Sequence, residues 1–179
     1  AVKAAESFTK TEFEKGKTLE ILSILEKQMK NIVLVGMPGC GKSTAGKLLA
    51  QKLNRDFIDT DSLIVENEKM PIPKIFEKHG EEYFRNAEAQ AVSEAGKLSG
   101  KIIATGGGAI LRDDNKANLR QNAVVIFLAR DISTLSIDGR PLSQSNNLIE
   151  MYRVRQLHYW MVSDLSVEVD SDPEVTVER

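Results

Sequence analysis

The nonapeptide Gly36-Met37-Pro38-Gly39-Cys40-Gly41-Lys42-Ser43-Thr44 directly follows the apolar run Asn31-Ile32-Val33-Leu34-Val35. A buried strand that ends in G-x-x-x-x-G-K-S and gives way to a helix has the pattern of a phosphate-binding loop. Gly36, Gly39 and Gly41 permit backbone turns that aim several N–H groups at one point. The helix starting near Lys42 adds the positive end of its dipole. Lys42 is expected to reach the β- and γ-phosphates of a nucleotide, and the Ser43 hydroxyl to bind Mg²⁺. The competing account is a glycine-rich turn without a ligand; the placement between strand and helix argues against it. The nucleotide-binding set is then Gly36, Gly39, Cys40, Gly41, Lys42, Ser43 and Thr44. The Cys40 N–H is expected to help hold phosphate. Its thiol is either a small filler or an oxidisable group that would block nucleotide binding.

Periodicity extends the α/β reading along the chain. Residues 1–30 read as helical but apart from the rest, with Leu19, Ile21, Leu22, Leu25 and Met29 at helical spacing. Strands are predicted at 32–35, 57–58, 101–104, 123–128 and 165–169. Helices are predicted at 43–53 (Leu48, Leu49 and Leu53 on one face), 62–68, 73–79, 81–98, 113–121 and 148–162, with a last one starting after Asp172-Pro173. Residues 131–147 read as a loop. Strand and helix alternating five times imply a parallel sheet covered on both faces. Right-handed crossovers then bring every strand's C-terminal end to one edge, where such sheets bind ligands.

The residues behind the next two strands carry chemistry. Asp59 and Asp61 in Asp59-Thr60-Asp61 share a face of extended chain. One could hold Mg²⁺ through its waters and the other could accept a proton from a substrate hydroxyl. Alternatively, Asp61 caps the helix behind it. Thr105-Gly106-Gly107-Gly108 presents backbone with no side chains in the way. A flat hydroxylated molecule could lie there; a tight turn or a second phosphate site are the alternatives.

Composition excludes other classes. The chain has 41% hydrophobic and 28% charged residues, with 24 basic against 26 acidic side chains and a net charge of −2. That balance builds no field for nucleic acid or an anionic membrane. No run is long enough to span a bilayer and no signal peptide is visible. The single cysteine excludes an internal disulfide and fits a cytoplasmic protein. The start at Ala1 points to processing or to a piece of a longer chain.

Taken in order, GMPGCGKST, DTD, FRNAE, TGGG, GRPL and R-x-x-x-Y over residues 31–179 resemble shikimate kinase. The resemblance implies a P-loop kinase fold similar to nucleoside monophosphate kinases: a five-stranded parallel sheet with a mobile lid. It implies transfer of the γ-phosphate of ATP to the 3-hydroxyl of shikimate, with Mg²⁺. Lys42, Asp61 and Arg140 become the catalytic set, with Arg140 of Gly139-Arg140-Pro141-Leu142 closing over the phosphates. Asp61, Arg85, Gly106, Gly107, Gly108 and Arg155 become the shikimate-binding set, and Ser43 and Asp59 the metal side. Chemistry agrees: paired arginines fork onto a carboxylate, and phosphoryl transfer needs alignment and charge neutralisation.

Each arginine also has a plainer reading. Arg85 could pair with Glu81 or Glu88 on its own helix, Arg155 could sit on a solvated face, and Arg140 could be a loop charge. His79 suits a helix end, while His158 and Trp160 read as partly buried packing residues. The segment before Arg140 lacks the adenine-stacking arginine of many shikimate kinases, so Arg130 or the Asp172-Pro173 turn is expected to serve the base. Residues 1–9 resemble the end of shikimate dehydrogenase, pointing to a fused enzyme in which residues 1–30 belong to a preceding domain; a species-specific extension is the alternative. Two other functions stay in view: a P-loop kinase of another hydroxylated metabolite such as gluconate, and a non-catalytic nucleotide-binding regulator.

Overall fold

A computed structural model of the protein describes residues 15–135 and 148–179. The resemblance of residues 1–9 to a dehydrogenase tail and the loop position of Arg140 lie outside the described residues. The elements run α1 (Lys15–Met29), β1 (Asn31–Val35), α2 (Lys42–Leu53), β2 (Phe57–Asp59), α3 (Thr60–Glu68), α4 (Ile72–Gly96), β3 (Ile102–Ala104), α5 (Asp113–Arg120), β4 (Ala123–Ala129), α6 (Leu148–Val162), β5 (Leu165–Glu168) and α7 (Pro173–Glu178). Short 3₁₀ turns cover Ala109–Leu111 and Ile132–Thr134.

The five strands form one parallel sheet in the order β2-β3-β1-β4-β5. Its centre is β1, paired with β3 through Ile32–Ile102 and with β4 through Asn31–Ala123. A strand covered on both faces has no solvent side, and Val33, Leu34 and Val35 are accordingly buried together with Ile102, Ile103, Val125, Phe127 and Leu128. Burial of each such aliphatic side chain contributes about 1.5–3 kcal/mol. The register sets the C-terminal ends of β1, β2 and β3 side by side, so the segments after Val35, Asp59 and Ala104 emerge at one edge.

Three packing details differ from expectation. Helix α2 buries its leucine face only in part: Leu49 packs half-buried against the core, Leu53 is exposed, and the fully buried apolar residues are small ones, Ala45, Gly46 and Ala50. A Cβ on Gly46 would sit 2.5 Å from the Phe57 ring, so small residues are what let the helix dock flush. Helix α3 starts earlier than expected, at Thr60, because Asp59 caps it. Trp160 is mostly exposed, touching Phe127 edge-on at 5.5 Å. The expected break near residue 80 is present: Gly80 adopts φ 81°, ψ 178° and kinks α4. In α1 the side chains of Leu19, Ile21, Leu22, Leu25 and Met29 are exposed. Among the described residues no helix is long and apolar enough to cross a membrane.

Candidate active site

The loop after β1 is built on close approach. Gly36 has φ 153°, and a Cβ there would meet the Leu128 carbonyl at 2.7 Å and the Cys40 sulfur at 2.9 Å. Gly41, the residue before α2, sits at φ 100°, a left-handed conformation that favours glycine. The Lys42 side chain is buried and curls over the loop, its Nζ donating to the carbonyls of Gly36 at 2.9 Å and Met37 at 2.8 Å. The ammonium is thereby held at the loop's mouth. Cys40 contributes differently from expectation. Its N–H donates to the Met37 carbonyl and its thiol is fully buried, so it shapes the loop from beneath and acts as filler.

The Ser43 hydroxyl donates to Asp59 Oδ2 at 2.6 Å, joining the first turn of α2 to the end of β2. The other Asp59 oxygen accepts from the N–H groups of Asp61 at 3.0 Å and Ser62 at 3.3 Å. Capping thus falls to Asp59, not Asp61. A hydroxyl and a carboxylate side by side are hard oxygen donors of the kind Mg²⁺ takes in small number while keeping its waters, so these residues fit that ion.

Beyond them, the three glycines after β3 are packing requirements. A Cβ on Gly106 would lie 2.7 Å from Asp61 Oδ1 and 2.8 Å from Glu88 Oε1, and one on Gly107 would lie 2.7 Å from Pro38 of the phosphate loop. One on Gly108 would overlap the Arg85 guanidinium. The glycines therefore let Asp61, Glu88, Arg85 and the phosphate loop close around a single space.

Arg85 forms both of its suspected ion pairs, with Glu88 at 2.8 Å and Glu81 at 3.0 Å, and still faces that space. Burial opposes its charge, but the two glutamates more than restore it and hold its pKa above the usual range. Glu88 is 1% exposed. Burial pushes its carboxyl above the usual range, with Arg85 pulling in the opposite direction. Arg155 lies on α6, buried rather than solvated, and among the described residues no carboxylate forms an ion pair with it. Burial lowers its pKa, and the neighbouring Arg85 charge adds to that.

One cavity of about 410 Å³ gathers these groups. Gly39, Gly41, Lys42, Ser43, Thr44, Asp59, Asp61, Arg85, Gly106, Gly107, Gly108 and Arg155, all expected from the sequence, line it. Gly36 and Cys40 lie outside its lining. Glu88 was seen in the sequence only as a helix-surface partner for Arg85; its place in the wall was missed, as were Phe76 and Phe84, whose rings pack 4.6 Å apart beside it. The signal present was the Arg-x-x-Glu spacing, which cannot distinguish a surface pair from a buried one. Arg130 lies across the phosphate loop, with Nη1 and the Val169 side chain each 3.9 Å from a Cβ built on Gly41.

A cation-bearing phosphate loop facing an arginine-walled pocket, with Asp59 and Asp61 between them, is the arrangement of a P-loop kinase that phosphorylates a small anionic alcohol. Comparison with known proteins narrows that class. The family described as shikimate kinase matches residues 38–178. The shikimate kinase of Caldicellulosiruptor bescii is 38% identical over 163 residues, covering 84% of this chain and 93% of the relative. The structure of shikimate kinase from Acinetobacter baumannii in complex with shikimate superposes with a TM-score of 0.80 at 32% identity, covering 87% of this chain and 93% of that one. That of Bacteroides thetaiotaomicron shikimate kinase gives 0.75 at 28% identity, over 84% and 96%. The chain belongs to the shikimate kinase family, ATP-dependent kinases that phosphorylate shikimate.

Proposed function

We propose that the cavity binds ATP at the glycine loop and shikimate at the arginine wall, and that the γ-phosphate passes to the 3-hydroxyl, giving shikimate 3-phosphate and ADP. The observation that carries this reading is Arg155: a buried guanidinium with no ion-paired carboxylate among the described residues, beside Arg85 and in one cavity with Lys42. A buried charge is costly, and a ligand carboxylate would add to the partial compensation that Tyr159 and Glu88 give. Shikimate carries one carboxylate, and each charge-assisted hydrogen bond to it contributes about 1.5–3 kcal/mol.

Asp61 accepts hydrogen bonds from the substrate hydroxyls, orients the attacking oxygen and takes up its proton. Lys42 neutralises charge on the transferring phosphoryl group. Ser43 and Asp59 would hold Mg²⁺, which supplies charge neutralisation at the phosphates when bound. Arg140 and the segment 131–147 serve as a lid that excludes water and limits wasteful hydrolysis of ATP. Arg130 lies beside Gly41 and, with the turn at Asp172-Pro173, serves the nucleoside end of ATP. Calorimetric titration of shikimate into the wild type and Arg155→Gln tests the reading: binding should weaken by about tenfold or more on loss of the charged contact, and equal affinity would refute it.

Assignment of residues 1–30 to a preceding domain rests on residues 1–9 alone. The intact mass of the natural protein tests it.

A further inference from the structure

Tyr159 has not figured in the chemistry so far. It sits one turn along α6 from Arg155, so the two side chains share a helix face. Its ring is fully buried and stacked on Phe127, with centroids 5.1 Å apart and planes 13° from parallel. Its hydroxyl donates to the Gly107 carbonyl at 2.6 Å, and its oxygen is among the groups that favour the charge on the Arg155 guanidinium one turn away.

A phenol has one proton to donate and lone pairs to accept with. With the proton committed to Gly107, the oxygen has only lone pairs to offer a cation such as Arg155, so the two interactions are mutually consistent. They join the middle residue of the glycine turn to the buried guanidinium. The turn is also held from the other side, where the buried Asn115 amide donates to the Ala109 carbonyl at 2.9 Å. Burial raises the phenol's pKa well above its ordinary value, so the hydroxyl keeps its proton across the working pH range.

We propose that Tyr159 is a positioning residue for the acid side of the site: its single hydroxyl fixes the Arg155 guanidinium and the Gly107 carbonyl in one geometry before substrate arrives. A guanidinium on a long flexible stem otherwise gives up rotamer freedom on binding a carboxylate, which weakens affinity. The inference rests on the shikimate kinase reading above.

The test is Tyr159→Phe in the full chain, which removes one oxygen and keeps the ring stack. Its kinetics are compared with the wild type, Arg155→Gln and the double variant. Wild-type turnover of shikimate is the control: its failure would overturn the functional reading, whereas an active wild type leaves only the Tyr159 claim at stake. Tyr159→Phe is expected to lower kcat/KM for shikimate about tenfold, through KM, as for loss of a hydrogen bond to a charged group. On the Arg155→Gln background the same change should cost less than about twofold, because interacting residues are non-additive. ADP affinity should not change. An unchanged shikimate KM in Tyr159→Phe, an equal factor on both backgrounds, or a matching loss of ADP affinity would each overturn the proposal.

Discussion

Arg85 donates from Nη1 to Glu88 at 2.8 Å, and Glu88 is the carboxylate of the pair that solvent does not reach. Its other partner, Glu81, is exposed, and exposed pairs contribute little. Glu88 therefore sets the direction of the guanidinium while leaving it facing the cavity. The plain reading of Arg85 as a helix ion pair is met, and the same geometry leaves the guanidinium facing the cavity, as the proposed carboxylate contact requires.

Replacing Glu88 by Gln should raise KM for shikimate about tenfold, since a charge-assisted contact that aims Arg85 is lost. KM for ATP should stay within about twofold, the phosphate loop lying on other elements. Steady-state kinetics with each substrate varied in turn checks both.

The same residue predicts a pH dependence of stability. Its folded pKa is raised above its unfolded value. Between those two values the folded state keeps a proton that the unfolded state has lost, so this contribution to stability is complete below the unfolded pKa and is lost as pH rises through the folded one. Urea unfolding from about pH 4 to about pH 7, starting near the ordinary carboxyl pKa, should show the wild type losing stability relative to Glu88→Gln as pH increases. A constant difference would contradict the assignment.

Asp61→Asn removes the proton acceptor but keeps the shape of the first turn of α3, which Asp59 caps. The expected outcome is a fall in kcat of about 10²–10⁴, the range of general acid–base contributions. ATP affinity should be retained. Single-turnover measurements with saturating nucleotide separate the two.

Gly108→Ala would drive a methyl group into the Arg85 guanidinium. Shikimate KM should rise about tenfold, a displacement of the arginine costing as much as loss of its hydrogen bond. Circular dichroism and ADP titration should stay close to wild type, because the conflict is with the end of one flexible side chain.

Arg130→Ala tests the nucleoside side. Its guanidinium lies near Gly41 and its Nε donates to Thr134 at 3.2 Å. Stacking of a guanidinium on an aromatic base contributes about 0.5–2 kcal/mol, so KM for ATP should rise about twofold to thirtyfold with shikimate KM unchanged.

The phosphate loop was readable from residues 36–44 because its function dictates glycine spacing, lysine and hydroxyl together. The parallel sheet and its shared edge followed from alternation and handedness, which do not depend on side-chain detail; the strand order did not. What escaped was packing. The three glycines were read as a surface for the ligand; they do line the cavity, but the sequence did not show that Pro38, Arg85, Asp61 and Glu88 also crowd them. Leu48, Leu49 and Leu53 were placed on one face of α2, but Leu53 is exposed and the fully buried contacts with the sheet come from the small residues Ala45, Gly46 and Ala50. Glu88 shows the same limit: local spacing specifies a partner, while burial depends on what the rest of the chain stacks above it.

The central claim is that Lys42, at the start of α2, and Asp61 and Arg85, on α3 and α4, serve one reaction in one cavity. Phosphorus and proton NMR of the product formed from shikimate and Mg·ATP by this chain tests it most directly. The account predicts stoichiometric ADP and a single ester at the 3-hydroxyl, abolished in Lys42→Ala. ATP hydrolysed without a phosphorylated acid, or an ester at another hydroxyl, would contradict it.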